Sequence, residues 1–208
     1  MGHNPQTKIY NSIRNLKVVK HKKRQEFLSE MIVSLIKGRS VIFSELAFHI
    51  SKKIKTSSIE RRIQDFFQKV EIQYDQLALL LLSFVHHEKL ELSIDRTEWD
   101  FGKTRVNILC VVVSIGKMAV PIYFEMLDNN SGNSNYEDRI QLFTKLINII
   151  GKERISLILM DREFIGCEWL SWLQEQEIPF CVRVPKHHTI LLANGSKIIA
   201  EEQLNFTQ

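Results

Sequence analysis

Two aspartates carry the chemistry that this sequence suggests. Asp95 closes the apolar alternation of "LSIDRTEWDFGKT" (residues 92–104), and Asp161 closes the more apolar "RISLILMDREFIG" (residues 154–166), 66 positions later. An unpaired buried carboxylate is costly, so an acid ending a hydrophobic strand is normally paired, neutralised or bound to metal. A turn or strand-end role accounts for either residue alone. Two such ends in one chain open a second reading, because facing carboxylates repel and a divalent cation between them removes the repulsion. Oxygen ligands suit Mg2+ or Mn2+, and two such ions about 4 Å apart can activate water and stabilise the leaving oxygen in phosphodiester cleavage.

The elements around the acids are legible as alternation and punctuation. "KLELSID" sets Leu90, Leu92 and Ile94 against Glu91, Ser93 and Asp95, a strand ending on the carboxylate. "RVNILCVVVSI" and "AVPIYFEML" predict a hairpin about Gly116-Lys117, glycine first in a primed turn. After the loop "DNNSGNSN", "YEDRIQLFTKLINIIG" predicts a helix with Tyr136, Ile140, Phe143, Ile147 and Ile150 on one face. Ser134 and Glu137 are spaced to box its start, and Gly151 ends it. "RISLILM" reads as a strand covered on both faces, "GCEWLSWLQEQE" as a helix stopped by Pro179, and "PFCVRV" as a further strand. This order builds an α/β mixed sheet with flanking helices, in which the first strand and the one after the first helix lie side by side. Asp95 and Asp161 then meet near one edge.

The first part of the chain reads as helical. "EFLSEMIVSLIKG" places Phe27, Leu28, Met31, Ile32, Leu35 and Ile36 on one stripe with Gly38 as its stop. "SELAFHIS" reads as a short helix capped by Ser44. "SSIERRIQDFFQKV" reads as another, boxed by Ser57 and Glu60, with Ile59, Ile63, Phe66 and Val70 inward. Two short helices, the second carrying Arg61 and Arg62, suit a helix-turn-helix-like reader or any small helical bundle. "LALLLLSFV" (Leu77–Val85) reads as a buried helix and is about half the length of a bilayer span.

Charge is uneven along the 208 residues. Up to residue 70 there are 15 Lys and Arg against 5 Asp and Glu, and the remainder reverses the balance within a net +4. The basic run "LKVVKHKKRQ", with Lys22, Lys23 and Arg24, fits a solvated helix face or contact with phosphates. We therefore divide the chain into a basic helical region, residues 1–88, and an α/β region, residues 89–208. A polar start without a secretory pattern, and cysteines 110, 167 and 181 without a CxxC pair, point to a reducing cytoplasm and no membrane.

"LSIDRTEWDFGKTRVNILCVVV", "MDREFIG" and "FCVRVPK", in this order, resemble a bacterial insertion-sequence transposase of the insertion-sequence-four type, in the DDE superfamily. The resemblance extends to "SIERRIQDFF" before the α/β region. It implies a ribonuclease-H-like core in which two aspartates and a glutamate hold two Mg2+ (or Mn2+) ions. It implies cleavage of double-stranded DNA at transposon ends and joining to a target, in the bacterial cytoplasm at the nucleoid, with self or a full-length transposase as dimer partner. Asp95 would be the first catalytic, metal-holding acid and Asp161 the second. The third belongs on a later helix in a Y-x2-R-x3-E-x6-K arrangement that the chain lacks. Tyr136 and Arg139 begin it, but Phe143 stands where glutamate is needed, and Glu201 and Glu202 lack the surroundings. The expectation is a transposase fragment cut before its third acid, inactive alone. A non-catalytic DNA-binding regulator of transposition and a simple metal-dependent nuclease are the alternatives.

Other residues have two readings each. Arg61, Arg62, Lys22, Lys23, Arg24, Arg183 and Lys186 are the expected DNA contacts. Trp99 suits packing at the sheet edge or stacking on a base. Glu98, Asp100 and Glu163 are spare acids, and Arg162 suits either a phosphate or a neighbouring acid. His86-His87 and His187-His188 read as surface pairs, since adjacent strand residues face opposite ways. Cys110 reads as a small core residue.

Overall fold

The computed structural model describes residues 5–51, 53–102, 104–127, 134–191 and 194–200. They fall into two compact units that divide between Phe84 and Val85. The first is helical: α1 (Pro5–Leu16), α2 (Lys22–Gly38), α3 (Phe43–Ile50), α4 (Thr56–Lys69) and α5 (Tyr74–Leu82). Its core collects Ile13, Val19, Phe27, Met31, Leu46, Ile59, Ile63 and Phe66 among others.

Several helix signals resolve differently from their sequence reading. Leu35 and Ile36 of the α2 stripe are exposed, while Gln25 and Ser34 are buried. The polar pair is tolerated because Gln25 Nε2 donates to Val19 O (2.8 Å) and Ser34 Oγ to Leu46 O (2.6 Å). Arg39, not Gly38, takes the left-handed conformation after α2 (φ 51°). Glycine at 38 serves packing instead, because a Cβ there would lie 2.8 Å from His49 Cδ2. Ser44 caps nothing, and Ser57 and Glu60 form no box. The helices start earlier, at Ile42 and Lys55 as capping positions without side-chain caps, so both serines fall inside the first turn. The basic run from Leu16 to Gln25 is a helix end, a turn and a helix start rather than one face.

The second unit contains β1 (Leu90–Phe101), β2 (Thr104–Ile115), β3 (Met118–Leu127), α6 (Tyr136–Ile150), β4 (Ile155–Met160), α7 (Cys167–Glu175), β5 (Phe180–Val182), and the short pair β6 (Thr189–Leu191) and β7 (Lys197–Ile199). The main sheet runs β3-β2-β1-β4-β5. β1, β2 and β3 are antiparallel, whereas β4 pairs in parallel with both β1 and β5. A meander followed by two helical crossovers in this order is a ribonuclease-H-like sheet. The β2–β3 turn opens on Gly116 with φ 59°, as a primed turn needs.

The register identifies one packed face. Leu92 and Ile94 face out with Val113 and Val111 on one side and Ile158 and Met160 on the other, and all six are buried. α6 and α7 cover this face: Trp169 packs on Phe143 (5.3 Å between centroids) and its Nε1 lies 3.1 Å from Met160 Sδ. β4 is therefore covered mainly on one side, and Leu159, on the other, is 36% exposed. α6 buries Arg139, Leu142, Phe143, Leu146 and Ile150 rather than a stripe through Tyr136, which is exposed. Its start is boxed by Asn135 and Asp138, one residue later than Ser134 and Glu137, while Gly151 does end it (φ 82°).

Candidate active site

Asp95 does not end its strand. β1 continues to Phe101 because β2 supplies ladder partners as far as Phe101↔Thr104, so even the polar run 96–100 stays extended. What ends near Asp95 is the parallel pairing, whose last partners are Ile94 and Met160. Asp95 and Asp161 each follow one of these partners, and Asp161 keeps an extended backbone (φ −82°, ψ 171°). Neighbouring strands lie about 4.8 Å apart and successive side chains alternate, so both aspartates leave the sheet on the face opposite α6 and α7. The carboxyl ends of parallel strands are where open α/β sheets bind ligands.

Their hydrogen bonding leaves room for a cation. Asp95 Oδ1 accepts from Arg96 N (2.8 Å) and Asp161 Oδ1 from Arg162 N (2.7 Å). Both side chains are exposed, and neither has an ion pair among the described residues. The spare acids differ. Glu98 is bound by Arg96 (3.2 Å) and Arg105 (2.6 Å), Asp100 lies 3.5 Å from Arg105, and Glu163 pairs with Arg96 (3.2 Å). Two carboxylates with open oxygens fit a hard divalent ion that keeps several waters. No group of three or more His, Cys, Asp or Glu converges on a possible metal position among the described residues.

Sequence reasoning missed the arginines behind the acids. Arg96, one residue from Asp95, takes the packed face, where Nη1 also approaches Asn107 Oδ1 at 3.4 Å. Arg139 is buried: Nε donates to Ser134 Oγ (2.9 Å), and Nη2 to Ser134 O (2.7 Å) and Glu163 O (3.2 Å). Its guanidinium lies 4.9 Å from the Phe164 ring centroid, and burial pulls its pKa below the ordinary arginine value. For Arg96, the same alternation that identifies Leu92 and Ile94 was the available signal. In the sequence Arg139 stands only as the arginine of the Y-x2-R arrangement, off the apolar stripe of its helix, and nothing there marks it as buried.

The expected DNA contacts lie in both units. Arg162 and Arg183 share a groove of about 310 Å3 with Lys186 and His187, and Arg183 N donates to Met160 O (3.0 Å) beside the end of β4. Arg162 has no acid partner among the described residues, so its salt-bridge reading is not realised. In the helical unit, Lys23, Arg24 and Arg62 line a groove of about 370 Å3, and the Arg62 guanidinium sits 3.9 Å from the Phe27 centroid. Arg61 and Lys22 are exposed. Trp99 is 68% exposed and unpacked at the sheet edge, its Nε1 bonded to Thr97 Oγ1 (2.9 Å). Neither histidine pair lies in a strand, so alternation does not separate them, and the rings of His187 and His188 are 5.7 Å apart. Cys110, opposite Asp95 in the register, is partly buried, and burial followed by the Asp95 charge raises its thiol pKa. Glu201 and Glu202 lie outside the described residues.

No protein-family model and no curated protein matches the chain. Among solved structures it is similar to the HTLV-2 integrase catalytic core domain in complex with magnesium, with TM-score 0.37 and 13% identity over 47% of this chain and 62% of that one. The simian T-cell lymphotropic virus intasome gives TM-score 0.36 and 14% identity over 48% of this chain and 33% of that one. The large terminase of a thermophilic bacteriophage gives TM-score 0.31 and 13% identity over 47% and 23%. The chain thus spans under two thirds of the length of each. None of the helices described is long and apolar enough to cross a membrane.

Proposed function

We propose that this chain is part of a DNA transposase of the DDE type, a metal-dependent polynucleotidyl transferase, with Asp95 and Asp161 as two of its acids. The observation that carries this reading is the adjacency of two carboxylates, without ion-pair partners among the described residues, just past the last parallel β1–β4 pair. Asp95 and Asp161 would hold Mg2+ or Mn2+ through their open oxygens, and the ion would supply water activation and stabilisation of the leaving oxygen. Arg162, Arg183 and Lys186 would hold the DNA backbone beside the acids. Lys22, Lys23, Arg24, Arg61 and Arg62 would give the helical unit its own backbone contacts.

A second reading, a non-catalytic DNA-binding regulator, is favoured by the lack of a third acid beside the pair among the described residues. Two measurements separate them. The purified chain should bind Mn2+, and Asp95→Asn or Asp161→Asn should abolish that binding. Mn2+ binding indifferent to both substitutions would sink the metal reading. In a strand-cleavage assay on end-containing DNA with Mg2+ we expect little or no product from this chain alone, because the two acids lack a third beside them among the described residues, and robust turnover would contradict that expectation.

A further inference from the structure

The two aspartates occupy segments that no shared ladder hydrogen bond joins beyond Ile94↔Met160. Something else must fix their separation. Directly behind them, on the packed face, Arg96 Nε meets Glu163 Oε2 at 3.2 Å. Arg96 follows Asp95 and Glu163 lies two residues past Asp161, so this one ion pair ties the two acid-bearing segments together. Its side chains are only 16% and 27% exposed, which limits screening by water. Each end is itself anchored. Arg96 Nη1 also binds Glu98 Oε2 (3.2 Å) on its own strand, and Glu163 O accepts from the buried Arg139 (3.2 Å). A planar fork held by several acceptors has a defined position and orientation, so the segments that it joins are held in a defined relation.

We propose that Arg96 and Glu163 form a positioning clamp that sets the distance between the Asp95 and Asp161 carboxylates, and hence the affinity for a divalent cation. This rests on the metal reading above. Glu163 is not a ligand in this scheme: its carboxylate is committed to Arg96 on the face away from the aspartates. The clamp predicts that losing either partner weakens cation binding although neither touches the ion.

The test is Mn2+ titration of the full chain followed by electron paramagnetic resonance, with thermal unfolding measured on each variant. Arg96→Ala and Glu163→Gln should each weaken Mn2+ binding about tenfold, the scale of groups that orient ligands. The double variant should be no worse than either single one, as for two halves of one interaction. Arg96→Lys, which keeps the charge and loses the fork, should fall between wild type and Arg96→Ala, and it serves in place of Arg96→Ala should that variant not fold. If Glu163→Gln abolishes binding while Arg96→Ala leaves it unchanged or tightens it, Glu163 is a ligand and the clamp is wrong. If neither substitution moves the affinity while Asp95→Asn abolishes it, the clamp is wrong and the metal reading survives. Binding that also survives Asp95→Asn and Asp161→Asn would overturn both.

Discussion

Arg96 and Arg139, on the packed side of the sheet, contrast with Arg162 and Arg183, beside the ends of β4 and β5. Each of the first pair is enclosed and holds three acceptors, among them a carboxylate, a hydroxyl and backbone carbonyls. The second pair is exposed, has no acid partner among the described residues and lines an open groove. Arginine's planar fork suits both situations. Enclosed, it is spent on the protein's own oxygens and fixes geometry. Open, it remains available to an anion from outside.

That contrast can be broken most forcefully at Arg139. Arg139→Ala would leave Ser134 O and Glu163 O without their donor, and should destabilise the chain by about 2–3 kcal/mol in urea unfolding. A change near zero would mean that the enclosed arginines are not structural. Arg162→Ala combined with Arg183→Ala should instead leave stability within about 0.5 kcal/mol. It should weaken binding to duplex DNA and reduce the slope of log affinity against log salt by about 2, since each arginine would neutralise one phosphate. An unchanged slope would place the phosphates elsewhere. In the helical unit, Arg61→Ala with Arg62→Ala should weaken binding in a gel shift. Arg62→Ala alone should also lose about 0.5–1 kcal/mol of stability from its contact with Phe27. The smallest effect concerns the acids' own face. Because burial raises the Cys110 thiol, at pH 8 iodoacetamide should alkylate it more slowly than the exposed Cys167 and Cys181. Equal rates would show that this face encloses less than its register suggests.

Alternation in β1 and β2 and aliphatic runs in β3 and β4 were sufficient for the order of elements in the main sheet: β1 and β2 bury every second residue, whereas β3 buries the adjacent Ile122 and Tyr123. The turn at Gly116 and the stop at Gly151 were readable because both need a positive φ that glycine supplies readily. Helix starts were less legible: several serines have capping spacing, and the choice among them depends on where the preceding chain enters. Ser134 lost to Asn135 in this way. Polar residues that become buried, such as Gln25, Ser34 and Arg139, carried no sequence signal, since their acceptors come from distant backbone.

By itself the sequence determined that Asp95 and Asp161 each follow an apolar stretch, since a period of two and a run of aliphatic residues are local properties. Only the tertiary structure decided that β1 outlasts Asp95, that the pair shares the face away from the helices, and that Arg96 and Glu163 meet behind it. The β1–β4 register and the Arg96–Glu163 contact join segments more than sixty residues apart, the length of β1 depends on what β2 pairs with, and no local pattern encodes which partner a strand will find.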